Sequence, residues 1–513
     1  MKRIIALLAF SMTTLGALAQ ETYENGKLAG DDLNGTARYV GMGGAMEALG
    51  ADVSTISTNP AGIGMFRKSC ANLSMGFVTQ QDVPDFSVGK KTYMSFDQVG
   101  FVIAMPTGPT SFMNFAFNYH KSKNFDYILG AADKLYQASQ QKVTYEKTQM
   151  NDGAGILYPQ RADGTYDTDH PYWNCSMLDD VYAYNLDAFS DATDYVMRRS
   201  HTGYIGEYDF NISGNSKNRI YWGLTLGLRG VHYKHYGQYE ETLYDGKTVI
   251  VCDDRKISGT GVDLKAGIIF LPVDESPFRV GLSVSTPTWY DLTSSNYTTI
   301  DQSHTFSDYA DSEYDFNLTM PWKFGVSLGH TLGGNLALGA SYEYTDYGSM
   351  DTRVKNENRN WDAYDSESDD VMNRHTEQTL RAVNTLKLGA EFRPVPEMAV
   401  RLGYNWVSPM YKKDGFKDVS LGSIGVFKSS ATDYTNWRQT NRITCGLGYQ
   451  FDKKLNLAVA YQYSVRKGDF EPFPSTPVFN DDGTFNAVES NIADVKEIDF
   501  KRHQLLFTAT YSF

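Results

Sequence analysis

From about residue 70 to Phe513 the sequence is dominated by segments of ten or more residues in which apolar and polar side chains alternate, with turn residues between them. A period of two sends successive side chains to opposite faces of a strand, so each segment has one face suited to an apolar medium and one suited to water. The last segment is the clearest case. Leu505, Phe507, Ala509, Tyr511 and Phe513 fall on one face, and Gln504, Leu506, Thr508, Thr510 and Ser512 on the other. Upstream, Leu457, Val459, Tyr461, Tyr463 and Val465 repeat the pattern, as do Val400, Leu402, Tyr404 and Trp406, and Phe324, Val326 and Leu328. The opposite faces carry Gly, Ser, Thr and full charges, including Arg229, Asp263, Lys265, Arg279, Lys387, Glu391 and Arg442. A soluble sandwich uses strands of ~5–6 residues, about half this length. Hydrocarbon accepts such two-faced strands only when every backbone group is paired and no edge remains, so the sheet must close into a barrel.

The alternation marks fourteen strands, at 70–79, 94–105, 111–121, 201–214, 219–235, 256–271, 277–290, 312–332, 335–346, 379–393, 397–407, 436–451, 455–467 and 499–513. The expected fold is therefore an all-β, 14-stranded antiparallel transmembrane barrel, with an even strand count as in single-chain outer-membrane barrels. The connections give an independent check. Short ones at 106–110, 215–218, 271–276, 333–334, 394–396 and 452–454 interleave with long ones at 122–200, 236–255, 291–311, 347–378, 408–435 and 468–498. Short periplasmic turns and long external loops are the rule for this architecture, and the parity puts both termini in the periplasm. Pro321 inside the eighth strand implies a kink or bulge there. Tyr and Trp at strand ends supply interfacial girdles, which accounts for an aromatic content of 14%.

Three segments stand outside the strand pattern. Lys2 and Arg3, the apolar run at 4–10 and Ala17-Leu18-Ala19 read as a secretory signal occupying 1–19. Residues 20–69 are small, Gly-rich and mixed, and precede a barrel (70–513) whose lumen would leak unless filled. They are expected to form a hatch inside it. The third-strand loop, 122–200, carries one apolar stripe at helical spacing, Ile128, Ala131, Leu135 and Ala138, and a wider one, Leu178, Val181, Tyr182, Leu186 and Phe189. The second stripe is the candidate substrate-binding groove; packing of the loop on itself over the barrel mouth is the plainer and compatible reading.

Composition removes several function classes. A net charge of −14 argues against nucleic acid, and after residue 20 no run approaches the ~18 apolar residues of a spanning helix. Four cysteines are too few for a disulfide scaffold. Gly325-Val326-Ser327-Leu328-Gly329 matches a hydrolase nucleophile elbow but lies within an alternating strand rather than at a strand-to-helix turn. Gly41-Met42-Gly43-Gly44 lacks the βαβ setting of a phosphate loop. His232 and His235, three apart on a strand, face opposite ways. The acidic clusters at 163–169, 365–370 and 480–482 have no EF-hand spacing. No catalytic set, metal or cofactor is therefore expected. Cys175 and Cys252, both in expected external loops, are a candidate disulfide in an oxidising compartment.

Within the N-terminal segment, Arg38-Tyr39-Val40-Gly41-Met42-Gly43-Gly44-Ala45 is followed by Gly50-Ala51-Asp52 and by Asn59-Pro60-Ala61-Gly62-Ile63. This order resembles the start of the FadL/OmpP1/TodX family of outer-membrane transporters for hydrophobic compounds. The resemblance implies a hatch containing Gly43, Gly44, Asn59, Pro60 and Ala61, and passive uptake of long-chain fatty acids or aromatic hydrocarbons. It also implies first binding at the external loops and sideways passage through a kink in the third strand, which the sequence does not locate. A blocked lumen and apolar outer segments suit a solute that must leave water. The partners expected are outer-membrane lipid and hydrophobic small molecules, with the chain monomeric. A general porin, and a binding protein of the haemin-receptor or secretion-partner type, share the barrel and stand as alternatives.

Overall fold

The computed structural model describes residues 21–83, 85–143, 156–157, 172–173, 191–302, 306–355, 366–419, 421, 423–480, 482–488 and 490–513. The expected leader at 1–19 and the stripe Leu178, Val181, Tyr182, Leu186 and Phe189 lie outside them, as does Cys175, while Cys252 is free.

Seventeen strands carry the architecture: β1 (Cys70–Gln81), β2 (Thr92–Gly108), β3 (Ser111–Asn124), β4 (Tyr127–Ala138), β5 (Ala192–Ser216), β6 (Ile220–Leu243), β7 (Thr248–Phe270), β8 (Arg279–Ser285), β9 (Trp289–Gln302), β10 (Phe306–Thr319), β11 (Lys323–Leu332), β12 (Leu336–Asp346), β13 (Ala382–Val395), β14 (Met398–Val407), β15 (Tyr434–Gln450), β16 (Leu455–Glu471) and β17 (Lys496–Ser512). Antiparallel ladders run β1–β2–β3–β5–β6–β7–β8–β11–β12–β13–β14–β15–β16–β17. β17 then pairs with β1 from Cys70↔Ser512 to Gln81↔Lys501, so the ring is closed with fourteen strands around it. Closure leaves no strand edge facing hydrocarbon at that seam, which is what the two-faced alternation required.

The outward faces confirm the period. On β6, Ile220, Trp222, Leu224, Leu226 and Leu228 are all exposed, while Tyr221 and Thr225 between them are buried. Beyond Leu228 the outward positions turn polar, at Gly230, His232 and Lys234. Opposite orientation of His232, exposed, and His235, buried, follows from the same period. Ser327 of the elbow-like pentapeptide is a buried inward residue of β11.

The structure corrects the sequence reading in the half of the barrel away from Cys70 and Ser512. Residues 236–255 are not a loop: β6 and β7 continue through them, with Glu241 pairing Val249 across a turn at 244–247. Residues 291–302 and 306–311 likewise belong to the paired strands β9 and β10, which extend the barrel edge along β7. Its outward charges hid it, since only the part of a strand that meets lipid must be apolar on its outer face. The stripe Ile128, Ala131, Leu135 and Ala138 is not helical; it lies in β4, which pairs with β5 from Tyr127↔His201 to Ala138↔Ala192. Ile128 is buried by β1 and the β1–β2 connection, and Leu135 and Ala138 by the cluster that includes Tyr195, Tyr239 and Phe470, so burial on both faces of a strand imitated a helical spacing. Pro321 does interrupt the eighth strand, between β10 and β11, and Pro287 interrupts its neighbour between β8 and β9 at the same height.

The N-terminal segment lies inside the ring. It contains the helices α1 (Thr22–Leu28) and α2 (Ala37–Gly41) and the 3-10 turns Val53–Ser57 and Pro60–Met65, whose caps are the side chains of Glu21, Thr36, Asp52 and Asn59. Gly43 and Gly44, both at positive φ, turn the chain after α2. Wall glycines receive this backbone: a Cβ at Gly389 or Gly403 would collide with Met42 and Gly43, one at Gly339 with the Ala45 carbonyl, and one at Gly223 with Pro60. Replacing Gly339 or Gly403 by Val is therefore expected to dislodge the segment and raise single-channel conductance in planar bilayers several-fold, with heat-modifiable gel mobility reporting an intact barrel. Unchanged conductance in a folded variant contradicts this packing.

Candidate functional site

Five of the seven inward charges picked out in the sequence, Arg229, Arg279, Lys387, Glu391 and Arg442, touch the N-terminal segment, and Asp263 and Lys265 brace Arg229 and Glu207 behind them. Glu391 binds Arg38 at 3.0 Å and Arg401 at 2.7 Å. Lys387 binds Glu47 at 2.7 Å and Glu343 at 2.6 Å. Arg279 donates to the Leu49 carbonyl at 2.7 Å. Arg229 binds Asp31 at 3.0 Å, Glu207 at 3.1 Å and Asp263 at 2.8 Å, and Lys265 bridges Glu207, Asp209 and Asp263. Arg442 reaches Asp32 at 3.3 Å. Charges this buried are tolerated because each has partners; removing one partner leaves a desolvated charge and costs roughly 3–5 kcal/mol.

The motif residues sit where the segment meets the wall. Gly43 packs on the Tyr404 backbone, and its carbonyl accepts from Asn405 at 3.4 Å. Gly44 packs near Lys387. Asn59, Pro60 and Ala61 are buried against β6, β7 and β8, next to Gly223, Gly267 and Gly281, and the Asn59 side chain accepts from the Ala61 amide at 3.2 Å.

Above Asp31 and Asp32 the lumen opens into a cavity of about 280 Å³, at the lower edge of the roughly 300–1,000 Å³ usual for small-molecule sites. Aromatic rings form much of its wall, among them Tyr23, Tyr127, Tyr233, Tyr411, Trp437 and Phe500. Nine Lys and Arg line it with five Asp and Glu, and Glu47, Asp253, Asp469 and Glu497 just outside the lining pair with Lys387, Arg199 and Arg438, which leaves Arg442, Arg466 and Arg502 the least neutralised of its arginines. The Arg466 guanidinium lies 4.0 Å from the Trp437 ring centre, 4.7 Å from Phe500 and 5.8 Å from Tyr127. Such cation–π contacts hold a cation in an apolar wall without neutralising it. Among the described residues no carboxylate lies within 4.0 Å of Arg466, and its Nε is buried without a hydrogen-bond partner.

The cavity adjoins an interruption in the wall. β2 pairs with β1 along its upper part, from Thr92↔Thr79, but its ladder to β3 begins only at Gln98↔His120. β3 ends at Asn124, and after Phe125 and Asp126 the chain resumes as β4, which reaches β1 through the Gln80 side chain (Ile128 N to Gln80 Oε1, 2.7 Å; Gln80 Nε2 to Ile128 O, 2.8 Å). The β3-facing edge of Thr92–Asp97 is thus outside the ladder, and Asn124, Phe125 and Tyr127 beside it line the cavity. β3 thus breaks off at Asn124 with no Pro or Gly to mark the place.

The toluene transporter TbuX of Ralstonia pickettii superposes with a TM-score of 0.50 over 94% of this chain and 99% of its own, at 11% identity. The monoaromatic hydrocarbon channel CymD (TM-score 0.49, 10% identity) and a FadL homologue of Pseudomonas aeruginosa (TM-score 0.49, 13% identity) also cover 94% of this chain, and 99% and 100% of their own. The chain shares the TbuX fold. No family model matches the sequence, and no curated relative does.

Two carboxylates of the N-terminal segment, Asp31 and Asp32, tie it to the cavity wall. Burial alone would raise both, but Lys323 and Arg229 hold Asp31 well below the usual carboxylate range, and Arg502, Arg442 and Lys123 hold Asp32 below it. Depressed values mean that their contribution to docking is full above the unfolded value of about 3.9 and is lost as pH falls through the lowered ones. Acidification below about pH 4 should therefore raise conductance reversibly in planar bilayers, and D31N/D32N should conduct at neutral pH as the wild type does in acid. A pH-independent conductance speaks against this docking.

Proposed function

We propose that this protein belongs to the FadL/TodX-type outer-membrane channels and passes hydrophobic molecules, long-chain fatty acids in particular, passively and without catalysis. The observation that carries the reading is the cavity: aromatic walls and three arginines, Arg442, Arg466 and Arg502, for which Asp32 is, among the described residues, the one carboxylate within 4.0 Å of any of them. Apolar walls suit an acyl chain, and buried cations gain more from an anionic head group than from the ring face of a neutral aromatic solute. TbuX, with the same fold, is a toluene transporter, so a hydrophobic cargo is common ground and the head group separates the two chemistries. Residues 20–69 act as the hatch, both termini are periplasmic, and the chain works as a monomer surrounded by outer-membrane lipid. The loop stripe Leu178, Val181, Tyr182, Leu186 and Phe189 supplies first contact with the hydrophobe, and the gap beside Phe125 its sideways path.

Cells carrying the protein should take up oleate several-fold faster than cells without it, with maltodextrin entry unchanged. Arg466→Ala should weaken oleate binding to detergent-solubilised protein by about tenfold, or roughly 1.4 kcal/mol, and leave toluene binding alone. Sugar entry equal to oleate entry would favour a general porin.

A further inference from the structure

Arg442, Arg466 and Arg502 lie on the neighbouring strands β15, β16 and β17, with Arg442 and Arg502 both paired to Ser464 in the ladder and Arg466 two residues further up β16. Among the described residues the one carboxylate within 4.0 Å of any of these guanidiniums is Asp32, 3.3 Å from Arg442 and 3.6 Å from Arg502. Charge-assisted bonds to carboxylates run at about 2.7–2.9 Å, so Asp32 reaches both arginines at more than the best distance and Arg466 not at all. The same aspartate is tied to the strand-three break: its carboxylate accepts from the Asn124 amide at 3.0 Å, and its own amide donates to the Ser122 carbonyl at 2.7 Å. Lys123 next to it holds the carbonyls of Ala29 and Gly30. One residue thus joins the hatch, the break in the wall and the cavity's arginines.

We propose that Asp32 is an internal stand-in for the cargo's head group, and that an incoming carboxylate takes over Arg442 and Arg502 and releases Asp32, so that hatch and strand-three break loosen only when an anionic amphiphile is bound. The proposal rests on the fatty-acid reading above and adds its trigger. No bond is made or broken: one carboxylate replaces another on the same arginines, and Arg466, held by rings alone, meets the newcomer first. Asp31, paired with Lys323 and with Arg229 at 3.0 Å on the other side of the lumen, stays in place. The exchange therefore frees the hatch on the side of the break while the opposite side remains seated. A neutral hydrophobe of equal length fills the cavity and leaves the arginines with Asp32.

Full-length protein in nanodiscs, incubated with radiolabelled oleate or oleyl alcohol, gives binding and backbone amide exchange over residues 29–36 from the same sample. Both ligands are expected to bind, and only oleate to raise exchange, at least fivefold. Asp32→Asn should show the raised exchange without ligand and change less than twofold on adding oleate, and Asp32→Glu should behave as the wild type. Bound oleate with unchanged exchange, an equal response to the alcohol, or wild-type protection in Asp32→Asn each overturns the proposal while the fatty-acid reading stands. Failure of oleate to bind overturns both.

Discussion

A strand in hydrocarbon has nowhere to send its amides and carbonyls except to another strand, and each one left over costs several kcal/mol. The seam from Cys70↔Ser512 to Gln81↔Lys501 satisfies that demand by joining the last strand to the first. Everything else follows from a closed ring. Its outer face must be apolar over the lipid belt, its inner face is free to be polar, and an interior of fourteen strands has to be filled by something other than the wall's own side chains. The N-terminal segment fills it, and the wall meets it with glycines at Gly223, Gly339, Gly389 and Gly403 and with ion pairs through Arg38, Glu47, Asp31 and Asp32.

Glycine contact and ion pairing act differently. The glycines let two backbones touch, a fit of shape that does not depend on pH or salt, whereas the pairs are electrostatic and can be exchanged for others of the same sign. The cavity sits where the second kind dominates, bordered by Asp31, Asp32 and an array of cations among aromatic rings. Below it, at Asn59 to Ala61 and Met42 to Ala45, shape fit dominates. A segment held by both is seated firmly at one level and displaceable at another.

Most of the barrel was legible because the lipid belt writes a strict rule into the sequence. Strands such as β17, β16 and β14 read directly from alternation, and Pro321 announced its interruption. The rule lapses where lipid ends. The upper parts of β6 and β7 and most of β9–β10 carry polar outward residues such as Lys234 and Asp291, so they read as loops. β4 failed for the converse reason, being covered on both faces. Of the site, Arg442, Lys387 and Glu391 stood out as charges on inward faces, yet that Asp31 and Asp32 answer them depends on how the N-terminal segment is threaded, which no local pattern records. Arg466 and its rings come from three separate strands and the start of β4, and only closure of the ring assembles them.

The unequal height of the wall has its own consequence. A bilayer needs about 9–11 residues of each strand, whereas β5, β6 and β7 have 25, 24 and 23. On β6 the apolar belt stops at Leu228, leaving 15 residues to Leu243, on the order of 50 Å of sheet at ~3.4 Å per residue. With strands tilted ~35–45°, that stretch carries the wall roughly 40 Å past the apolar belt, whereas β11 and β12, at 10 and 11 residues, end close to it, so the mouth of the ring is cut at a slant rather than square.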